Sequence, residues 1–123
     1  MEIVISTGSE AMNERLCEQI RRCFPEANIQ CFPDTLFAIQ YIYGGAVDIV
    51  VTETRMKRPM TAERFVDMVK KRNPNTQVVV LLSEDGSVLS MNGAYWVNQG
   101  QLALVLGAVK RRLVPEAEEE NCK

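Results

Sequence analysis

Glu53 closes the stretch VDIVVTETRM, where an apolar run ends in a threonine and a carboxylate. A carboxylate at the end of a buried strand is a reacting group, a metal ligand, or a relic of one. Other apolar runs end in polar side chains too: Ile3-Val4-Ile5 in Ser6 and Thr7, Gln77 to Leu82 in Ser83, and Tyr95-Trp96-Val97 in Asn98. Glu53, Ser6, Thr7, Ser83 and Asn98 together offer one carboxylate, three hydroxyls and an amide. The chain has no histidine, which removes Ser-His and Cys-His nucleophiles, imidazole metal sites and phosphohistidine chemistry. It has four cysteines, Cys17, Cys23, Cys31 and Cys122, but no CxxC, so neither a zinc site nor a redox motif is indicated. They read as reduced, mostly buried thiols of a cytoplasmic protein.

The elements that must position these groups follow from the hydrophobic pattern. Ile3 to Ile5 is a short buried strand ended by Ser6-Thr7-Gly8. Ser9 or Thr7 caps the next segment, where Met12, Leu16, Ile20 and Cys23 recur at helical spacing until Pro25. Asn28 to Phe32 alternates like a strand, and Pro33-Asp34-Thr35 turns into a helix over 36–43, closed by Gly44-Gly45. Val47 to Val51 is the third strand. A helix begins at Thr61 with Phe65, Met68 and Val69 facing inward, and Pro74 lies just beyond its end. The run QVVVLL has the β-branched continuity of a strand buried on both faces. Tyr95 to Val97 is a fifth strand, and 102–113 an amphipathic helix ending in Lys110-Arg111-Arg112, charges suited to a helix C-terminus. Strands alternating with helices require right-handed crossovers, a parallel sheet and helices on both faces. Sites in such α/β sheets gather at the carboxyl ends of the strands, where Ser6-Thr7, Glu53, Ser83 and Asn98 stand.

Composition narrows the function. At 123 residues, 46% hydrophobic and 24% charged, the chain suits one globular domain. A net charge of -2 gives no electrostatic case for nucleic acid. No apolar run approaches the roughly 18 residues that span a bilayer, and no leader with a cleavage site opens the chain. Residues 1–113 form the domain, and 114–123, an acidic Pro-initiated tail, are expected to be disordered.

With the strand ends located, the sequence resembles the receiver domain of bacterial two-component response regulators over nearly all of 1–113. The match is carried by VDIVVTETRM, a following helix, NPNTQVVVLLS, and Gly93-Ala94-Tyr95-Trp96-Val97-Asn98. Anchoring on Asp48 and Met56, the resemblance puts Glu53 at the phosphoacceptor position, Ser83 at the hydroxyl position, Tyr95 at the switch aromatic and Asn98 at the lysine. It implies a three-layer, flavodoxin-like, doubly wound five-stranded parallel sheet in the order 2-1-3-4-5.

The departures decide what the resemblance implies for function. Receivers end the first strand in an acidic pair that binds Mg²⁺ with the acceptor Asp; this chain has Ser6-Thr7. One carboxylate with two hydroxyls is a poor site for an ion that dehydrates reluctantly. The lysine is replaced by Asn98 and its following proline by Gln99. Without a metal or a cation, phosphoryl transfer lacks its charge neutralisation. The implied protein is a degenerate receiver, not an enzyme, without metal or cofactor, acting in signalling by contact with a protein partner; a homodimer stays open, and neither nucleic acid nor membrane is expected. Glu53, one methylene longer than Asp, either mimics the phosphorylated state by reaching Ser83, or is solvated at a sheet edge or paired with Arg55, Lys57 or Arg58; a slipped register would instead put Thr52 or Thr54 in the site. Ser83 reads equally as a cap of the next turn, and Tyr95 and Trp96 as core or interface aromatics. Only nine residues (EDGSVLSMN) separate Ser83 from Gly93, so the fourth receiver helix is shortened or missing, and Val88, Leu89 and Met91 are offered as an exposed apolar patch. An alternative function is carried by STGSE, residues 6–10, which resembles the phosphate loop of flavodoxins and would hold the phosphate of FMN at a helix N-terminus.

Overall fold

The computed structural model describes residues 1–54, 61–82, 89–91 and 93–113. Ser83, Val88, Arg55, Lys57, Arg58 and the acidic tail therefore lie outside the described residues. The elements run β1 (Glu2–Ser6), α1 (Glu10–Cys23), β2 (Asn28–Cys31), α2 (Thr35–Tyr43), β3 (Ile49–Glu53), α3 (Ala62–Arg72), β4 (Gln77–Leu81), β5 (Leu89–Met91), β6 (Ala94–Val97) and α4 (Leu102–Leu113), the last entered through a 3-10 turn, Gln99–Gln101.

Local chemistry sets the helix ends. Ser9, Asp34 and Thr61 stand in extended backbone at the N-caps of α1, α2 and α3, and their side-chain oxygens accept from the N–H groups of Met12, Leu36 and Arg64. Each such bond satisfies an amide that has no partner within its helix. At the other end of α1, the Lys110 Nζ donates to the Cys23 carbonyl at 2.7 Å and brings a cation to the negative end of the helix dipole.

The sheet order is β2-β1-β3-β4-β6-β5. Its first five members are all parallel, which is the expected 2-1-3-4-5 order with β6 as the fifth strand. Alternate residues of the central strands face opposite layers. Ile3, Ile5, Ile49, Val51, Val79 and Leu81 pack with Leu16 and Ile20 of α1 and Leu102, Leu106 and Val109 of α4. Val4, Val50, Val78, Val80 and Trp96 pack with Ile39 and Ile42 of α2 and Phe65, Val66 and Val69 of α3.

Three details differ from the sequence reading. The third strand starts later and runs further, so Thr52 and Glu53 belong to it; Thr52 can be fully buried because its Oγ1 donates to the Ser6 carbonyl at 2.7 Å. Val66, not singled out from the pattern, is fully buried, while Met68 is only partly so. The stretch before the fifth parallel strand contributes an antiparallel strand at the edge: Leu89 and Met91, offered as part of an exposed patch, lie in β5 and pair with Trp96 and Ala94. No described residue between β4 and β6 is helical, which accords with a shortened or missing fourth helix. Gly93, directly before β6, has a φ of 78°. Among the cysteines, Cys17 and Cys31 carry free thiols, but Cys23 is disulfide-bonded, which corrects the expectation of reduced thiols there.

A Cβ at Gly93 would stand 3.0 Å from Lys70 Cε in addition to the left-handed backbone penalty. Gly93→Ala should therefore lower the unfolding free energy by about 1–2 kcal/mol. Gly45→Ala, where an added Cβ meets nothing within 4 Å, should change it by less than about 0.5 kcal/mol. Urea denaturation of the two variants checks the contrast.

Candidate functional site

Parallel register brings the carboxyl ends of β1, β3 and β4 together, with Ser6 beside Thr52 and Glu53 beside Leu81. Asp48, by contrast, lies before β3 at the opposite end of the sheet, where its Oδ2 accepts from the Glu2 N–H at 2.8 Å. Among the described residues, Glu53 is thus the carboxylate presented at the carboxyl ends of the central strands. It is half-buried on an inner strand rather than at a sheet edge, and its Oε1 accepts a long 3.3 Å hydrogen bond from the Gly8 N–H.

The hydroxyls nearby are committed elsewhere or out of reach. Thr7 is buried, and both its N–H and its Oγ1 donate to Asn13 Oδ1, at 3.0 and 2.7 Å. The Ser9 carbonyl, 3.0 Å from Thr7 Oγ1, is an alternative acceptor, and Thr7 Oγ1 itself accepts from the Ser9 N–H at 3.2 Å. Ser6 is fully buried and its Oγ has no partner among the described residues. Thr52, a candidate had the register slipped, spends its hydroxyl on the Ser6 carbonyl. The Thr54 N–H donates to the Leu81 carbonyl at 3.0 Å and so continues the ladder past Glu53.

Asn98 and Tyr95 belong to the other side of the sheet end. Asn98 caps the 3-10 turn, its Oδ1 accepting from the Gln101 N–H at 3.1 Å. Tyr95 packs half-buried against the α1–α4 layer with the Arg112 guanidinium 5.7 Å from its ring centre. Trp96 faces the α2–α3 layer and is buried. Ser83, the remaining residue singled out from the sequence, is outside the described residues, as is any contact of Glu53 with it.

Two partners escaped the sequence reading. Asn13 sits on the buried stripe of α1 with Leu16, Ile20 and Cys23. A polar residue on an apolar helix face was the available signal. The Gly8 amide carries no side-chain signal at all.

Mg²⁺ fits these donors poorly. It requires several hard oxygen ligands. Ser6 is sealed in the sheet, Thr7 is saturated by Asn13, and among the described residues no group of three or more His, Cys, Asp or Glu side chains could hold a metal ion. A phosphate in the 6–10 loop meets a different obstacle, because the Glu53 carboxylate already faces the Gly8 amide and would repel a second anion.

No family model matches the sequence, and neither does any curated protein. Solved structures do match. The N-terminal domain of a response regulator/sensory box/GGDEF three-domain protein from Carboxydothermus hydrogenoformans is 13% identical with a TM-score of 0.72, over 94% of this chain and 97% of that one. The chain has the receiver fold. The signal receiver domain of a DNA-binding response regulator from Colwellia psychrerythraea 34H is 16% identical with a TM-score of 0.74, over 92% of this chain and 98% of that one. A structure of the CheX-CheY-BeF3-Mg²⁺ complex from Borrelia burgdorferi matches at 18% identity and a TM-score of 0.73, over 93% and 90%. Within the receiver fold, Glu53 occupies the end of the middle strand of the sheet, flanked by β1 and β4. Among the described residues no helix is long and apolar enough to cross a membrane.

Asn13→Ala removes the acceptor of two buried donors on Thr7. It should destabilise the protein by about 1–3 kcal/mol, the cost of leaving buried polar groups unpaired. Asn13→Asp, which keeps an acceptor oxygen, should recover part of that loss in the same thermal or urea melt.

Proposed function

We propose that this chain is a degenerate receiver module of two-component-type signalling, which exerts its effect through contact with another protein rather than by accepting a phosphoryl group. The observation that carries the reading is the Glu53–Gly8 contact at the end of β3, beside a β1 terminus with no carboxylate. In a metal-dependent receiver the acceptor carboxylate and the acidic pair would share a cation. Here Glu53 takes a hydrogen bond from the backbone of the loop after β1, so the carboxylate itself ties β3 to the start of α1. This is the kind of link a phosphoryl group or its metal would otherwise supply, and on this reading the site rests in one fixed, active-like arrangement.

The chemistry of the strand ends supports the absence of phosphotransfer. An acyl phosphate on Glu53 would need a cation beside it. The described side chain on the lysine's position is Asn98, occupied in capping a turn. The Borrelia structure is a complex with BeF3 and Mg²⁺; among the described residues of this chain no group of three or more carboxylate, thiol or imidazole side chains could hold such an ion.

Titration with Mg²⁺ and then beryllofluoride, followed by backbone amide NMR, tests the reading. The expected result is no saturable shift at Ser6, Thr7, Gly8 or Glu53. A saturable shift centred on those residues would overturn it and return Glu53 to a metal-dependent switch. Glu53→Gln should move the Gly8 amide resonance and lower stability by about 1 kcal/mol, the difference between a charge-assisted and a neutral hydrogen bond.

A further inference from the structure

A groove between α1 and the end of β2 brings two free thiols together away from Glu53. Its walls include Glu14, Cys17, Glu18 and Arg21 of α1, with Cys31 and Pro33 opposite. Because β2 is an edge strand, the groove is not closed by a further strand on that side. Cys17 is half-buried and Cys31 exposed. The Arg21 Nη2 donates to Cys17 Sγ at 3.5 Å, and Cys31 faces Cys17 across the groove. Two thiols on different elements thus line one groove, with a cation on one of them and solvent at the other.

We propose that Cys17 and Cys31 form a reversible oxidation site that a low-molecular-weight disulfide converts into a bridge between α1 and the edge strand β2. Cys17 gives up its proton and attacks one sulfur of the small disulfide. The external S–S bond breaks, a mixed disulfide forms on Cys17, and the first small thiol leaves with the proton. Cys31 then attacks the Cys17 sulfur, the internal S–S bond forms, and the second small thiol leaves with the Cys31 proton. Two protein thiols are oxidised and one external disulfide is reduced to two thiols.

The surroundings assign the order. Negative charge gathers on the attacking sulfur, and Arg21 places its guanidinium at Cys17. Desolvation against α1, followed by the neighbouring Cys17, pushes the Cys31 thiol up to about 11 against the opposing pull of Arg21, so near neutral pH Cys31 remains protonated until the mixed disulfide is beside it. The carboxylates of Glu14 and Glu18 on the same groove favour a cationic disulfide over an anionic one. The bridge would fasten α1 one helical turn from Asn13, the residue that holds Thr7, but the site does not depend on what Glu53 does.

The test treats the full chain with cystamine, a cationic disulfide, and in parallel with oxidised glutathione, an anionic one, followed by intact-mass measurement and peptide mapping without reduction. The expected product has lost two hydrogens, carries a Cys17–Cys31 peptide crosslink, and forms several-fold faster with cystamine. Cys31→Ser should stop at a stable cystamine adduct on Cys17, and Cys17→Ser should leave residue 31 unmodified under the same conditions. Both serine variants should keep the amide spectrum of the folded chain. A persistent adduct on Cys17 in the unsubstituted protein, a crosslink to another cysteine or to a second copy, or no reaction at Cys17 would overturn the proposal.

Discussion

Two-sided burial of β1, β3 and β4 is the constraint on which the remaining structure depends. Their inner residues are almost entirely sequestered, Val78, Val79 and Val80 completely so, and every backbone amide among them must find its partner in the ladder. A strand buried on both faces needs a layer on each, which is why α1 and α4 share one face and α2 and α3 the other. It also makes the strand ends the places where polar side chains can emerge without being stranded in the core.

The site inherits that geometry. At the carboxyl end the ladder stops, and Glu53 reaches a backbone amide of the neighbouring loop instead of water alone. Thr52, one residue earlier, is still inside and survives because a carbonyl on β1 lies within hydrogen-bonding distance. Thr7 survives burial through Asn13. The Thr7 and Thr52 hydroxyls thus tie the loop after β1 to α1 and β3 to β1. Among the described residues Glu53 is the carboxylate at these strand ends, and its bond to the Gly8 amide links β3 to the loop after β1.

Much of the fold was legible in residue patterns. Alternation of β-branched runs with amphipathic helices fixes a parallel sheet, and the capping oxygens of Ser9, Asp34 and Thr61 stand at the helix starts that their types announce. The edge strand β5 is not legible from periodicity, because three residues are too few to show an alternating pattern. Yet Asn92-Gly93 is a strong short-range hairpin signal, and Gly93 takes the positive φ that such a turn demands. Threonine and glutamate after an apolar run resemble a strand ending; whether they extend a ladder depends on an acceptor supplied by another strand. Of the site, the position of Glu53 was legible, whereas the partners Asn13 and Gly8 were not.

The sequence by itself determined the alternation of elements, the two apolar faces of each central strand, the absence of histidine chemistry and the lack of an acidic pair beside Glu53. These are properties of residue type and period, and they hold before the chain folds. Only the tertiary structure decided that Thr7 answers to Asn13, that Glu53 answers to the amide of Gly8, and that Cys17 and Cys31 line one groove. Each of those pairs joins residues on different elements or across a turn. Their meeting depends on register and on how a helix is seated against the sheet, which depend on the packing of the whole rather than on any local run of residues.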